Sequence, residues 1–117
     1  MPRAAHATLR AVWLRVVAEL GAANIVERYI EADGQHVDGL CEGDKITVAP
    51  HHQTVDTVIH ELLHRLYPDR TERSIRRTTT LLRRVITADE VQSFYDEYNR
   101  RKTRNRTPYR ADLSNAE

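Results

Sequence analysis

Cysteine is nearly absent from this sequence, whose 117 residues include only Cys41. A single cysteine excludes an internal disulfide, and it also excludes a zinc ribbon, which needs several thiolates. Proteins of reducing compartments commonly keep their thiols unpaired, so the cysteine content favours a cytoplasmic location.

The sequence also lacks any apolar run of membrane-spanning length, and its first residues lack the order of a signal peptide. We therefore expect no membrane partner. A strong net charge is absent as well, because 18 basic residues nearly balance 17 acidic ones. The overall charge thus predicts no polyanionic partner, although most of the positive excess lies after residue 60.

The length of the chain suffices for one modest hydrophobic core and not for two. We predict a single domain over residues 1–99. From Arg100 the sequence is basic and polar, so residues 100–117 are expected to form a flexible tail. This tail is a weak candidate for a nucleic-acid-binding arm, whereas the arginines between 73 and 84 are interpreted as a solvated helix face with ion pairs.

The pattern of apolar residues predicts an α+β fold. Residues 4–20 have helical periodicity, and we expect the Trp13 side of this N-terminal helix to pack on a sheet. Residues 25–31, 36–41 and Lys45–Ala49 are expected to form a small antiparallel sheet, with a tight turn at 42–44. Helices are then predicted for the remainder of the domain.

The predicted helices have recognisable ends. Thr54 is a candidate cap for the first of them, and Pro68 ends it because proline interrupts a continuing turn. Thr71 is a good N-cap for a helix that runs to about Ile86. The segment 87–90, Thr-Ala-Asp-Glu, is a capping box that opens the last helix.

The stretch 60–64 reads His-Glu-Leu-Leu-His within the first of these helices. At about 100° per residue, the apolar residues of 55–66 fall in one arc, while His60 and His64 fall nearly opposite. Two imidazoles one helical turn apart suit two bonds to zinc, and Glu61 beside them suits a general base. The motif therefore predicts a zinc site.

A catalytic zinc site needs a third protein ligand and an open position. Glu72 is the preferred candidate, because a reversal at Pro68 would bring the first turn of the next helix back to His64. Asp69 is the nearest competitor, and His51 or His52 could reach the site from the preceding connector. The third ligand stays open between these residues.

Two neighbours of the motif have candidate roles. Asp56 lies one turn before His60 and could orient its second ring nitrogen, or it could simply complement the helix dipole. Tyr67 could stabilise an oxyanion, although an aromatic residue at a helix end more commonly serves packing.

The sequence resembles the zincin metallopeptidases, and it looks most like the short zincin-like proteins of bacteria and their phages. Their pattern, D-T-x-I-H-E-L-L-H-x-x-x-P-D-x-[ST]-E, matches residues 56–72, and the similarity extends over roughly residues 39–85. The resemblance implies a glutamate ligand at Glu72, peptide-bond hydrolysis, and an upstream strand, here Lys45–Ala49, that pairs with an extended substrate.

We therefore expect a zinc-dependent metallopeptidase that acts on a protein or peptide substrate. His60, His64 and Glu72 would bind Zn²⁺, and Glu61 would be the general base. One alternative is a zinc-binding module of zincin fold without catalysis. Another is a protease associated with nucleic acid, by analogy with SprT-like zincins.

Overall fold

The computed structural model describes residues 3–33, 35–50 and 53–111 of the chain. Within these residues the fold is mixed α+β, with four helices and seven short strands, as predicted for the class. In chain order the elements are α1 (Arg3–Ala22), β1 (Asn24–Glu27), β2 (Ile30–Ala32), β3 (Gln35–Val37), β4 (Gly39–Glu42), β5 (Lys45–Val48), α2 (Thr54–Leu66), α3 (Glu72–Val85), α4 (Ala88–Arg101), β6 (Thr103–Arg104) and β7 (Tyr109–Arg110).

The predicted caps of α3 and α4 are confirmed. The Thr71 hydroxyl accepts a hydrogen bond from the backbone N–H of Ser74 at 3.1 Å, which satisfies a free donor of the first turn. Thr87 and Glu90 form the full capping box. The predicted cap of α2 is wrong, because Thr54 is already helical and Gln53 occupies the cap position.

The main sheet has the strand order β4-β5-β1-β6. The hairpin β4–β5 is antiparallel and turns at Gly43, whose φ of +63° suits glycine. However, β1 pairs with β5 in parallel, with Asn24 opposite Lys45 and Glu27 opposite Val48. The prediction of a purely antiparallel sheet is therefore wrong, and β5 lies in the interior of the sheet.

A second sheet has the order β3-β2-β7. The two predicted strands 25–31 and 36–41 are each divided in the structure, since the chain leaves the main sheet after Glu27 and rejoins it at Gly39. Each half of a divided strand thus belongs to a different sheet.

The segment after Arg100 departs from the expectation of a flexible tail. Within the described residues, β6 pairs with β1 and β7 pairs with β2, both in parallel. Lys102 and Arg104 also pair with Glu27, so the basic residues help to fasten this segment to the sheet. A boundary after Asn99 therefore does not separate the fold from a free tail; residues 112–117 lie outside the described residues.

The hydrophobic core lies between the helices and one face of the main sheet. α1 packs chiefly on the other helices, and Trp13 contacts the ring of Phe94 on α4 with centroids 5.2 Å apart. The predicted packing of Trp13 on the sheet is thus wrong, because α4 covers that side of α1. No helix in the described part of the chain has the length and apolar character needed to cross a membrane.

One buried carboxylate ties the end of α4 to the sheet. Glu27 of β1 accepts hydrogen bonds from the Tyr98 hydroxyl at 2.7 Å and from the Lys102 ammonium at 2.9 Å. Arg104 lies 3.4 Å from its other oxygen. Burial alone would raise the pKa of Glu27, but these hydrogen bonds and positive charges hold it below its ordinary value.

Candidate metal centre

The two faces of α2 position the His-Glu-x-x-His residues. Val58, Ile59, Leu62 and Leu63 are fully buried in the core, as the predicted apolar arc requires. The opposite side carries His60 and His64, and it is itself covered by neighbouring elements, so that the His64 side chain is only 4% exposed. The hydrophobic face thus fixes the rotation of the helix, and this rotation directs both imidazoles away from the core.

The turn between α2 and α3 brings Glu72 to the histidines. Pro68 and Asp69 lie in the turn, and α3 then runs back along α2. Two contacts show the antiparallel arrangement: His64 near the end of α2 meets Glu72, and Asp56 near its start meets Arg83. The predicted reversal at Pro68 is therefore confirmed.

Three side chains converge on one point. His60 Nε2 lies 2.7 Å from one carboxylate oxygen of Glu72, and His64 Nε2 lies 2.8 Å from the other. The two imidazole Nε2 atoms are 3.1 Å apart. Within the described residues, this trio is the group of His, Cys, Asp and Glu side chains whose donor atoms cluster closely enough to hold a metal ion.

The chemistry of this donor set fits zinc. Bonds of ~2.0–2.1 Å at tetrahedral angles place ligand atoms about 3.3–3.4 Å apart. The two imidazole nitrogens are 3.1 Å apart, and each lies 2.7–2.8 Å from a different oxygen of Glu72, so shifts of these side chains would admit the ion. Two imidazoles and one carboxylate also match the ligand set of catalytic zinc sites, which leave the fourth position open.

Burial lowers the pKa of His60 below its ordinary value, and the attraction of the Glu72 carboxylate offsets only part of this shift. The imidazole is therefore neutral at pH 7. A neutral ring offers the lone pair that a metal requires, whereas a protonated ring would repel a cation.

The cluster lies in an open cleft of about 420 Å³. Its floor is α2, with His60 and Glu61, and one wall is α3, with Glu72 and Arg76. The other wall is the chain from Val37 into the start of β4. The cleft thus has His60, Glu72 and the candidate base Glu61 on its surface, whereas His64 is buried next to them.

Gly39 allows β4 to approach Glu61 closely. A Cβ atom at this position would lie 2.7 Å from Cγ2 of Thr57 and 3.1 Å from Oε2 of Glu61. Any larger residue would therefore displace the strand, the Thr57 side chain or the Glu61 side chain. Glu61 is 7% exposed, so the strand both covers it and fixes its position at the edge of the cleft.

The other predicted residues have different positions. Asp56 lies 3.1 Å from the Arg83 guanidinium, so its structural partner is that arginine. Tyr67 accepts a hydrogen bond from Arg15, and Arg70 covers its ring, which supports the packing role. Asp69 is exposed and does not belong to the cluster. His51 and His52 lie outside the described residues.

Two functional candidates escaped the sequence analysis. Arg76 lines the cleft because it lies one helical turn after Glu72, a spacing that already placed both on the same side of α3. Gly39 had no local signal, since its role depends on a strand crossing a helix that is distant in sequence.

Comparison with known proteins identifies no relative. No protein-family model, curated protein or solved structure matches the chain. The function is therefore inferred from the geometry and chemistry of the cleft, together with the sequence pattern around its ligands.

Proposed function

We propose that this protein is a zinc-dependent metallopeptidase of zincin type. The observation that carries the proposal is the convergence of His60, His64 and Glu72 within 4.8 Å of one another, beside Glu61 in an open cleft. Zinc bound there would lower the pKa of a water toward ~7 and polarise a substrate carbonyl.

Glu61 has the position and chemistry of a general base. Its carboxylate faces the same cleft as His60 and Glu72 but lies outside the converging trio, so it is not one of the three candidate ligands. It would accept a proton from the attacking water and deliver it to the nitrogen of the leaving amine as the C–N bond breaks. Gly39 and β4 keep this carboxylate at the edge of the cleft.

The substrate edge that the resemblance implied is wrong. β5 forms ladders with β4 on one side and with β1 on the other, so its backbone groups are already used. β4 is an edge strand of the main sheet and begins in the wall of the cleft. We propose that an extended peptide pairs with β4, since the edge strand of a sheet is where a peptide strand can be added.

A purely structural zinc site fits the cleft less well. Structural sites are closed by four protein ligands, whereas the described residues supply three around an open cleft. A structural zinc site also has no need of a general base such as Glu61.

Two further expectations concern the location of the protein and a nucleic-acid partner. A cytoplasmic location is supported by the single cysteine. A nucleic-acid partner bound through residues after Arg100 gains no support, because Lys102 and Arg104 already pair with Glu27.

The test combines metal binding with peptide cleavage. Isothermal titration of the metal-free protein should show one zinc per chain, and the loaded protein should cleave members of a complex peptide mixture. Glu61→Gln should retain zinc while cleavage falls by about 10²–10⁴-fold, the usual contribution of a general base. A protein that binds no zinc at micromolar concentration, or a Glu61→Gln variant that cleaves normally, would refute the proposal.

A further inference from the structure

The exposed side of α3 carries a stripe of arginines that leads away from the metal cleft. At about 100° per residue, Arg73, Arg76, Arg77, Thr80 and Arg84 fall within an arc of about 100°. The opposite side of α3 is buried through Ile75 and Leu82. The core face therefore fixes the rotation of the helix, and this rotation presents the arginines together.

Most of this positive charge is not neutralised by the residues that the structure describes. Within the described residues, no carboxylate lies at ion-pair distance from Arg73, Arg77 or Arg84, so the expected solvated face with ion pairs is only partly realised. Arg76 lies 3.5 Å from a Glu72 oxygen that His60 already contacts at 2.7 Å. The stripe thus has guanidinium groups available for an external anion.

The stripe also forms a cavity that adjoins the metal cleft. Arg73, Arg76, Arg77 and Thr80 line a pocket of about 370 Å³. Arg76 and Thr80 line the metal cleft as well. A ligand that occupies the cleft can therefore extend into the arginine pocket across these two shared residues.

We infer that the arginine pocket, defined by Arg73, Arg76, Arg77 and Thr80, binds an acidic side chain of the peptide that occupies the metal cleft. Guanidinium groups bind carboxylates through paired charge-assisted hydrogen bonds, which are stronger than neutral ones. This inference rests on the proposed function, and it adds the substrate class: peptides with aspartate or glutamate close to the scissile bond.

The dimensions limit where that acidic residue lies. Arg76 is four residues, or about 6 Å along the helix, from Glu72. An extended peptide advances about 3.3 Å per residue. Allowing for the length of an arginine side chain, the acidic residue lies within about three positions of the bond that is cleaved.

Nucleic acid fits this surface less well. The stripe is confined to one helix of about 20 Å, whereas DNA-binding proteins often make 6–10 phosphate contacts over a wider basic surface. The net charge of the whole chain is only +1, so the protein is not strongly basic overall. A short acidic peptide matches both the size of the pocket and its connection to the cleft.

The test measures binding in the zinc-loaded Glu61→Gln protein, so that cleavage plays no part. One fluorescent peptide has two neutral residues at its centre and glutamates on both sides of them. It is compared with a peptide in which these glutamates are replaced by glutamines. We expect the acidic peptide to bind about 10-fold more tightly by fluorescence anisotropy. The double variant Arg73→Gln/Arg77→Gln should remove this preference.

Arg84→Gln is the matched control, because Arg84 lies on the same stripe but outside both cavities. It should retain the preference, and circular dichroism should show that all variants are folded. The inference would be overturned if the two peptides bound equally, or if the control lost as much of the acidic preference as the double variant. Tighter binding of a single-stranded DNA of equal charge would also overturn it. If the acidic peptide binds more tightly but the wild-type protein cleaves no peptide, only the peptidase proposal is refuted.

Discussion

Two polar clusters in this protein join distant parts of the chain, and they differ in the kinds of atoms that they bring together. At Glu27, a carboxylate meets a hydroxyl, an ammonium and a guanidinium group, all of which donate hydrogen bonds or carry positive charge. At the candidate metal centre, two imidazole nitrogens and a carboxylate converge within 2.7–3.1 Å.

The difference separates the structural role of the Glu27 cluster from the metal-binding role that we propose for the other cluster. At Glu27 each carboxylate oxygen contacts hydrogen-bond donors or cations, so this cluster stabilises the attachment of α4 and β6 to β1. The His60, His64 and Glu72 cluster gathers groups that are primarily lone-pair donors when the imidazoles are neutral. A cation bound between these three side chains would accept a lone pair from each of them, so all three contacts would be favourable.

The largest effect is expected for a substitution that removes a side chain from the His60, His64 and Glu72 cluster. His64→Ala should lower zinc affinity by at least about 100-fold, because loss of even an outer partner of a zinc ligand costs about 10–100-fold. Zinc should raise the thermal unfolding midpoint of the wild type and leave that of the variant unchanged. Calorimetric titration and thermal unfolding, each with and without zinc, check this, and an unaltered affinity would remove His64 from the site.

The corresponding change in the structural cluster is Tyr98→Phe. It removes one hydrogen bond to a buried carboxylate and should lower the free energy of unfolding by about 1–3 kcal/mol. Urea unfolding of the metal-free protein measures this loss, and the zinc affinity should stay at the wild-type value. A variant that loses zinc binding while its stability is unchanged would show that the two clusters are not distinct in role.

A smaller effect is expected for Gly39→Ala, which alters the strand above Glu61. The new methyl group would lie 2.7 Å from Cγ2 of Thr57, so we expect a loss of about 1 kcal/mol in unfolding free energy. Peptide cleavage should also fall, because the carboxylate of Glu61 must shift.

Thr57→Ser supplies the control for this change, since it removes Cγ2, the atom with the shortest contact. The double variant Gly39→Ala/Thr57→Ser should recover much of the stability but little of the cleavage rate, because the contact with Glu61 remains. Full recovery of both would show that β4 does not position Glu61.

The smallest effect concerns acid stability at an exposed cluster. The hydrogen bond from Arg10, with that from the Thr87 backbone, lowers the pKa of Glu90 from 4.5 to about 2. As the pH falls, Glu90 is therefore protonated in the unfolded chain before it is protonated in the folded protein. Its contribution to the free energy of unfolding is complete above pH 4.5 and is lost as the pH falls toward 2. Glu90→Gln should reduce the fall in unfolding midpoint between pH 5 and pH 3, and an unchanged slope would contradict the shift.

The position of the site could be predicted from the sequence because its determinants are local. The apolar arc of α2, the proline after it and the cap at Thr71 all act within a few residues of one another. Together they fix the helix, its end and the start of the returning helix, so that Glu72 meets His60 and His64. The same holds for the capping box at Thr87, whose partners are three residues apart.

The arrangement of strands could not be predicted in this way. Contacts between residues far apart in sequence decide that β1 pairs in parallel and that β5 is central. They also decide that residues 103–110 join the sheets. Pairing of β6 with β1 is stabilised by Lys102 and Arg104 at Glu27, more than 70 positions earlier in the chain. Hydrophobic periodicity carries no signal for such pairing.

The sequence by itself thus determined the α+β class, the helix that presents His60 and His64, and the return of Glu72 to them. Only the tertiary structure decided which strand borders the cleft, why residue 39 is glycine, and how the arginines of α3 connect with the metal centre. The physical reason is the range of the interactions involved. Helix rotation and capping follow from neighbours in sequence, whereas a cleft is defined by surfaces that meet only after the whole chain has packed.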